Sequence, residues 1–532
     1  MKSATSLIVR CFRVLALVVT AALGPLPGTA ATLTVQNLND SGPGSLRAAI
    51  ILAEPGWTIA FAPNVTGTIA LTSGELVIDK NLTIEGPGRN VLTIDAQNAS
   101  RVFRVADGVV RINRLSLRNG SVRGADGADA SSAFEEGHPG EAARGGAILN
   151  FGELTVSDCL LLTHRATGGH GGDGAPDLPV VAATRGGTGG EAAGGAIYNG
   201  HRLVLANSTI DGAVALAGNG GVGGYSIYPA NAFAGQGGNS SGGLGGGIYN
   251  IGTMMASNCL FYRCHAEGGD AGIGGDASTF QGRGGGSGGH GGAGHGGGVY
   301  NLSTTLVVNC TFTLSRGQGG AGGNGANGLT RDGRGGNGGD SFGGAIFNRA
   351  GREVTLIHDT IVNCHVVPGD EGFSPDFTDN GTRGAGVGGG VYDESLAETR
   401  FLNTLVAFNT ANTSHHDVFG AVTSLGRNFI RDRDTSTGWN GTDQTGAGAS
   451  PLDPQIYPLA DNGGPSLTIM PRRGSPLVDR GDSSVLTGPW NVLSDQRGVY
   501  RWAGIYVDIG AVEAPYGYYR VVVTTNGLAV SA

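Results

Sequence analysis

The stretch GGGIYNIGTMMASNCLFYRCHA, Gly245–Ala266, is repeated with substitutions from Gly145 to Ala411. Its first half recurs as GGAILN, GGAIYN, GGGVYN, GGAIFN and GGGVYD, and its second half as runs such as LTVSDCLL and LVVNCTF. The aliphatic position advances in steps of 45 to 51 residues, through Ile148, Ile197, Ile248, Val299, Ile346 and Val391. Such a period indicates a solenoid, in which each repeat buries its apolar face against its neighbours.

The runs inside each repeat are short, alternate inward and outward residues, and carry β-branched or aromatic side chains. This pattern predicts strands rather than helices. Strands joined by short polar corners and stacked on themselves make a parallel β-helix. The predicted fold is therefore all-β, a single-stranded parallel β-helix with Gly-rich loop insertions.

Stacking in register predicts columns of like residues. One corner column is polar and predicts amide hydrogen bonds from rung to rung; it contains Asn150, Asn199, Asn250, Asn301, Asn348 and Asp393. The column beside it is aromatic: Tyr198, Tyr249, Tyr300, Phe347 and Tyr392. Because rungs repeat about every 4.8 Å, these rings should form one continuous stripe, which is a candidate ligand-binding surface.

Composition excludes some classes of function. The chain has 532 residues, 101 of them glycine, a formal net charge of −9, and lysine only at Lys2 and Lys80. No basic patch favours nucleic acid. Five cysteines follow the first 31 residues, and their place in the repeat predicts small buried hydrophobes. A zinc site from Cys264, His265, Cys364 and His365 is disfavoured, since two rungs separate the pairs.

Residues 1–31 are typical of a secretory signal. Basic residues precede the apolar run Val14–Leu23, and the small residues 28–31 offer a cleavage site. The run is too short for a transmembrane helix, and no later segment is long and apolar enough. We therefore expect a secreted or cell-surface protein with no transmembrane segment in the mature chain.

Five segments follow from these patterns. They are the signal at 1–31, an N-terminal cap and first coils at 32–120, repeats with insertions at 121–411, C-terminal coils at 412–514, and a tail at 515–532. A short capping helix is predicted in GPGSLRAAIILAEPG, with Ser45 as its N-cap. Leu46, Ala49, Ile50 and Ala53 would supply the apolar face that covers the open end.

Two further stretches carry a family resemblance. LTVQNLNDSGPGSLRAAI resembles the N-terminal segment of exported bacterial β-helix proteins with a C-S-L-R-E-A-I-type motif, although Gly44–Ile50 lacks the Cys and the Glu. DPQIYPLADNGGPSLTIMPRRGSPLVDRGD, with SDQRGVYRWAGIYVDIGAVE, is similar to the C-terminal segment of the choice-of-anchor Q family. The resemblance implies a right-handed, pectin-lyase-like parallel β-helix at the bacterial surface.

The charged positions of the C-terminal resemblance predict a buried network that closes the last coil, with ion binding as the alternative. They are Asp479, Asp482, Asp495, Arg497, Arg501, Asp508 and Glu513. The tail at 515–532 shows no sorting motif, which leaves release or non-covalent retention open.

Gly-rich insertions separate successive coils, at roughly 121–144, 167–193, 217–244, 267–296, 316–342 and 368–388. All leave at the same corner and are longer than ordinary connections. They could be flexible loops around the solenoid. The favoured alternative is extended, polyproline-like strands that pack side by side over the tyrosine column and satisfy one another's backbone groups.

Metal and catalytic motifs are weak. Gly168–Pro176 and Gly335–Gly343 fit a calcium-binding nonapeptide, which makes Asp173 and Asp340 candidate calcium ligands, but each match stands alone. GHG occurs three times, always in the insertions, without the strand aspartates that a glycosidase would need. No catalytic residue is therefore predicted.

The function favoured by the sequence is structural or adhesive, with the aromatic column or the loop tips contacting polysaccharide or cell-envelope components. The alternative is a polysaccharide lyase or glycoside hydrolase on the same fold. No cofactor is expected apart from the candidate calcium.

Overall fold

The computed structural model describes residues 31–178, 182–227, 233–277, 284–394, 398–412, 414–502 and 504–515. The predicted signal at 1–31 and the tail at 515–532 lie almost wholly outside these ranges. No helix in the described part of the chain is long and apolar enough to cross a bilayer.

The chain is a right-handed parallel β-helix, as predicted, and every ladder between its strands is parallel. Sheet A has eleven strands: Thr32–Val35, Trp57–Phe61, Leu82–Glu85, Val109–Asn113, Glu153–Ser157, Arg202–Ala206, Thr253–Ser257, Thr304–Val308, Glu353–Ile357, Glu398–Leu402 and Thr423–Gly426. Sheet B also has eleven: Gly67–Ala70, Leu92–Asp95, Ser116–Arg118, Leu160–Leu162, Thr209–Asp211, Leu260–Tyr262, Thr311–Thr313, Thr360–Val362, Leu405–Ala407, Phe429–Ile430 and Gln444–Thr445.

Sheet C completes the walls of the solenoid with nine strands: Leu76–Ile78, Phe103–Val105, Ile148–Asn150, Ile197–Asn199, Ile248–Asn250, Val299–Asn301, Ile346–Asn348, Val391–Asp393 and Val418–Phe419. Each rung buries alternate residues of these strands, so the core is a set of columns with Ile148 beside Ile197, then Ile248 and Val299. The five described cysteines are buried, unbridged members of the repeat, as predicted.

Each insertion begins at a strand of one six-stranded sheet and ends at a strand of another. Sheet D contains Ser121–Arg123, Arg165–Thr167, Val214–Leu216, His265–Glu267, Arg316–Gln318 and His365–Val367, from which the insertions depart. Sheet E contains Ala143–Arg144, Ala192–Ala193, Gly243–Leu244, Gly294–His295, Ser341–Phe342 and Gly386–Val387, to which they return. All six insertions therefore leave the same corner, as the repeat predicts.

The predicted asparagine column is confirmed and lies inside the solenoid. Asn150 Nδ2 donates to Asn199 Oδ1 at 2.7 Å, and Asn199 Nδ2 donates to Asn250 Oδ1 at 2.6 Å. The chain of amides continues through Asn301 and Asn348, whose Nδ2 donates to Asp393 Oδ1 at 3.1 Å. Each side chain is fully or almost fully buried, so the column holds adjacent corners in register.

Both ends of the solenoid are covered. The helix α1, Leu46–Leu52, begins at Ser45, whose Oγ accepts from Ala48 N–H, and it buries the predicted apolar residues against the first strands. At the other end Trp439 packs on Phe401 with ring centroids 5.2 Å apart. The chain then turns back and runs along the outside of sheets A and B, with one 3-10 helix at Ser483–Leu486.

Candidate functional site

The six insertions form one hydrogen-bonded layer, which confirms the polyproline-like interpretation over the flexible one. Each insertion has an outgoing and a returning segment. Gly168, Gly171 and Gly174 donate their N–H groups to Leu216, Asn219 and Val222 of the next outgoing segment, at 2.8 to 2.9 Å. The interval of three residues is the repeat of a polyproline-type helix, which has no internal hydrogen bonds and must find partners outside itself.

The second N–H group of each triplet points to a returning segment. Gly169 donates to Glu141 O at 2.9 Å, and Gly172 donates to His138 O at 2.9 Å. The third N–H group meets a side chain of the preceding rung: His170 donates to Asp126 Oδ1 at 2.7 Å, and Asn219 donates to His170 Nδ1 at 3.0 Å. All three N–H groups of a triplet are thus satisfied, which explains how so much glycine can be ordered.

Close backbone approach requires the glycines. A Cβ on Gly169 would lie 1.8 Å from Ala125 O, and a Cβ on Gly218 would lie 1.8 Å from Gly169 O. Such contacts are far inside van der Waals distance, so the layer excludes side chains at these positions. The regular spacing of GG-x triplets is therefore a packing requirement rather than a sign of disorder.

The sequence also marks where the layer begins and ends. The first rung carries Ala125, Ala128 and His138 at positions where all five later rungs carry glycine. The last rung carries Asn380 where earlier returning segments carry Gly186 and its equivalents. No further rung lies outside these positions in the described layer, so no neighbouring backbone requires glycine there. Side chains at the two ends prevent the addition of another rung.

The predicted aromatic column exists, but its rings are stacked on one another. Centroid distances are 5.2 Å for Tyr198–Tyr249, 5.3 Å for Tyr249–Tyr300 and 4.7 Å for Tyr300–Phe347, with interplanar angles of 14°, 3° and 4°. Tyr198, Tyr300 and Phe347 are 6%, 3% and 3% exposed. The ring faces are therefore occupied, and only the partly exposed Tyr249 and Tyr392 offer edges to a ligand. Ligand binding by this column stays a prediction.

Sheet E covers the column from the side of the insertions. His295 stacks on Phe347 at 4.9 Å, and Phe342 stacks on Tyr392 at 4.5 Å. Burial raises the pKa of the Tyr249 hydroxyl, and it lowers the pKa of His295 to about 4. The column is thus an apolar seam between the solenoid wall and the glycine layer.

The two candidate calcium ligands occupy equivalent roles in different segments. Asp173 Oδ1 accepts from Val222 N–H at 2.7 Å in an outgoing segment, and Asp340 Oδ1 accepts from Ala385 N–H at 2.7 Å in a returning one. Within the described ranges, no three His, Cys, Asp or Glu side chains are grouped so that they could hold a metal ion. Their rung-to-rung hydrogen bonds account for both aspartates, and calcium binding stays a prediction.

Exposed apolar side chains concentrate at the outer ends of the insertions. They are Phe134, Leu178, Val222, Tyr225, Ile227, Phe233, Ile273, Leu329, Phe373 and Phe377. We call this set the distal edge. Val222 and Ile273 lie on adjacent rungs, since Gly223 N–H donates to Ile273 O at 3.0 Å. Such a concentration of exposed apolar surface on a rigid support is a candidate interaction surface.

A shallow trough of about 270 Å³ crosses three rungs at the distal edge. Phe233, which is 64% exposed, lies at one end, and the backbone of Gly284–Gly286 forms the floor. At the other end Arg331 Nη2 and Arg334 Nε lie 3.7 Å and 3.3 Å from Asp379 Oδ2. An aromatic ring, two arginines and the acidic Asp332 thus line one trough with a glycine floor.

The C-terminal charged residues form a buried network, as predicted, but in a different place. Arg501 is fully buried; its Nη2 donates to Asn309 Oδ1 at 2.8 Å, and its Nη1 lies 3.4 Å from Glu513 Oε2. Burial raises the pKa of Glu513 to about 8 and that of Asp508 to about 6. This network lies on the outer face of the solenoid and does not close the last coil, because the chain reverses direction after that coil.

Backbone N–H groups donate hydrogen bonds to the carboxylates of this network. Asp479 Oδ1 accepts from Ile505 and Tyr506 N–H at 2.8 and 3.2 Å, and Asp495 Oδ2 accepts from Arg497 Nη2 and Glu513 N–H at 2.7 and 2.9 Å. Asp482 Oδ1 caps the 3-10 helix through Ser484 N–H at 2.9 Å. The arrangement fixes loops, which is a structural use of charge rather than an ion site.

The sequence prediction missed a second amide column. Asn258 Nδ2 donates to Asn207 Oδ1 at 3.0 Å, and Asn309 Nδ2 donates to Asn258 Oδ1 at 3.1 Å. These residues form the corner between sheets A and B and have φ values of 50° to 55°, which asparagine tolerates better than most residues. The recurring asparagine before Ser208, Cys259 and Cys310 was the available signal.

Known proteins share the fold class at low similarity. No family model and no curated protein sequence matches the chain. Solved structures include the pectate lyase Pel9A, with 13% identity, a TM-score of 0.35, and coverage of 91% of this chain and 97% of that one. The PL6 alginate lyase AlyGC has 11% identity, a TM-score of 0.23, and coverage of 93% and 60%. The A-module of the Azotobacter vinelandii mannuronan C-5 epimerase AlgE4 has 13% identity, a TM-score of 0.22, and coverage of 79% and 97%.

Proposed function

We propose that the protein is an exported, surface-located β-helix of the choice-of-anchor Q type that binds polysaccharide or cell-envelope components through its distal edge. The observation that carries this proposal is the concentration of exposed apolar side chains at the ends of the insertions. Other side chains of the insertions, such as Asp126, His170 and Asp340, are used in hydrogen bonds from rung to rung. The apolar side chains of the distal edge are exposed and so are accessible to a partner.

The rigidity of the layer supports a binding role. Hydrogen bonds link each insertion to the insertions beside it, so Phe233, Ile273 and Phe373 stand on a fixed scaffold. A partner that binds pre-ordered side chains loses less conformational entropy than one that must order them. Cross-linked glycine segments thus act as the support for the edge.

The trough supports saccharide as one class of partner. The Phe233 ring can stack on the apolar face of a sugar, and the glycine floor leaves room for a ring. The Arg331 and Arg334 side chains are 59% and 61% exposed beside Asp379, so the guanidinium N–H groups that face water are accessible to a carboxylate on a sugar. We expect retention on an acidic polysaccharide to fall as salt is raised.

The second candidate is a polysaccharide lyase or hydrolase. Pectate and alginate lyases share the fold class, but their TM-scores do not extend the likeness to a site. In the described residues, the carboxyl groups with the largest upward pKa shifts are buried beneath other side chains: Asp359, Asp417 and Glu513. Their burial keeps these three carboxyl groups away from a substrate, so an enzyme of this class would have to use other residues.

The test incubates the full chain with immobilised alginate, polygalacturonate, cellulose and peptidoglycan, and scores both retention and new chain ends. The variant Phe233→Ser/Phe377→Ser should lose about tenfold in affinity for a polymer that retains the native protein. The matched control is Ile51→Ser/Leu52→Ser, which removes two exposed apolar side chains from α1, far from the edge in sequence.

Equal loss in the edge variant and the helix control would contradict the proposal, as would failure of every polymer to retain the protein. New chain ends from any polymer would establish the second candidate instead.

A further inference from the structure

Residues 489–494 form a roof over the outer face of sheet A. Asn309 Nδ2 donates to Ser494 O at 2.8 Å, and the neighbouring Gln496 and Arg501 are bound to sheet residues, so the roof is fixed at one end. It spans the strands Thr253–Ser257, Thr304–Val308 and Glu353–Ile357. This location is separate from the distal edge, because the two sets of residues have no member in common.

A groove of about 450 Å³ lies between the roof and the sheet. Its floor is made of the outward-facing side chains Met255, Leu306, Val308 and Ile357, and Trp490 forms part of the roof. Outward-facing strand residues of a solenoid usually meet water. Here a mainly apolar floor lies under a half-buried indole, which is the composition of a ligand pocket.

One wall of the groove is the second amide column. Asn258 uses one N–H of its amide for Asn207 Oδ1 and one lone pair of its oxygen for Asn309 Nδ2. An amide has two N–H donors and two lone pairs, so the Asn258 side chain has capacity for further hydrogen bonds. The column repeats every rung, about 4.8 Å, so it runs along the solenoid axis.

The residues that line the groove indicate an uncharged ligand. Every residue that lines the groove is uncharged, although the chain carries 43 acidic and 34 basic side chains. A charged ligand would lose hydration without gaining a counter-charge. A neutral sugar presents an apolar face to an indole and hydroxyl groups to amides, and therefore matches this lining.

We propose that the groove between Trp490 and the Asn258 column binds a neutral polysaccharide chain that lies along the solenoid axis. This site goes beyond the proposed function of the distal edge and does not depend on it. The trough at the edge has two arginines, whereas this groove has no charge, so the two sites select different polymers.

The experiment is calorimetric titration of the full chain with cellohexaose, mannohexaose and xylohexaose, and with an alginate hexamer as the charged probe. At least one neutral hexamer should bind, and Trp490→Ala should weaken its binding by about tenfold. Trp502→Ala is the matched control, since Trp502 belongs to the same segment, is 67% exposed and does not line the groove.

A second variant tests binding without altering the residues of the roof. Ser257 lies on the outward face of its strand and lines the groove, so Ser257→Arg places bulk and charge inside the groove while leaving the roof residues unchanged. It should abolish binding while the melting temperature stays near that of the native chain. Binding that survives both variants, binding of alginate alone, or no binding of any neutral hexamer would overturn the proposal. Phe233→Ser/Phe377→Ser should bind the neutral hexamer normally, which separates this site from the distal edge.

Discussion

The Gln496 side chain lies against the backbone of Cys259, 237 residues earlier, with Nε2 donating to the carbonyl oxygen at 3.2 Å. The side-chain oxygen of Gln496, Oε1, accepts from Thr311 Oγ1 at 2.6 Å. Its Nε2 also donates to Ser466 Oγ at 2.9 Å. Gln496 is fully buried. One side chain therefore links the returning C-terminal segment to two middle coils.

Replacement of Gln496 by alanine should loosen this segment without unfolding the solenoid. The change leaves the Thr311 hydroxyl and the Cys259 carbonyl buried without this partner, at a cost of about 2 kcal/mol. Hydrogen exchange should become faster at the backbone amides of position 496 and of Arg501, which donate to Ala511 O and Leu493 O in the native chain. Gln36→Ala, at an exposed glutamine of the first coil, is the control; an unchanged exchange pattern would contradict this role of Gln496.

A single methyl group should disrupt the glycine layer. A Cβ on Gly272 would lie 1.8 Å from Gly221 O, so Gly272→Ala must push two rungs apart, and the expected cost is about 3 kcal/mol. The measurement is thermal denaturation, together with limited proteolysis of the insertion at 267–296. In Gly441→Ala the new Cβ has nothing within 4 Å, so this control should behave like the native chain. Equal stability of the two variants would refute the tight packing of the layer.

A substitution at the first rung of the layer should affect stability less than one inside it. Ala128 occupies the first-rung position that is glycine in later rungs, and no earlier rung approaches it in the described layer. Ala128→Gly should change the melting temperature by less than Gly272→Ala does, because it removes no contact that the layer needs. A destabilisation as large as that of Gly272→Ala would show that the first rung is packed from both sides.

The asparagine column should depend on its middle members. Asn250 Nδ2 donates to Asn301 Oδ1 at 2.9 Å and to Thr305 Oγ1 at 3.1 Å, and its own oxygen accepts from Asn199. Asn250→Ala leaves these buried groups without their partner and should cost about 2 to 3 kcal/mol in unfolding free energy. Denaturant unfolding measures the change. Asn64→Ala, at an exposed asparagine outside the column, is the control, and a loss no larger than in that control would argue against the column.

The last member of the column should make stability depend on pH. Burial raises the pKa of Asp393 to about 6, from the ordinary value of 3.8 that it regains on unfolding. The folded state therefore holds the proton more tightly, and this contribution is fully present below pH 3.8 and is lost as pH rises through 6. Asp393→Asn removes the ionisation and can still accept from Asn348.

We expect Asp393→Asn to be more stable than the native chain by about 1 to 3 kcal/mol at pH 7.5 and about equally stable at pH 4. Denaturant midpoints at both pH values measure the difference, and Glu54→Gln, at an exposed carboxylate, is the control. A difference that does not change with pH would contradict the assigned ionisation.

The repeat by itself determined the fold. Ile148 and its equivalents and the asparagine column could be predicted because a solenoid places residues of equal repeat position on top of one another. The helix cap at Ser45 could be predicted from its local sequence alone. The paired glycines also indicated the extended layer, since only glycine allows backbones to approach so closely.

Only the tertiary structure decided what the columns face and where the C-terminal segment goes. A repeat position does not tell whether Tyr300 meets water or another ring, and here stacking buries it. The contact of Gln496 with Cys259 joins a residue outside the repeats to one within them, so no periodicity could place Trp490 over sheet A. The groove exists because the non-repetitive end of the chain folds back onto a repetitive wall, and that long-range contact is encoded in packing rather than in spacing.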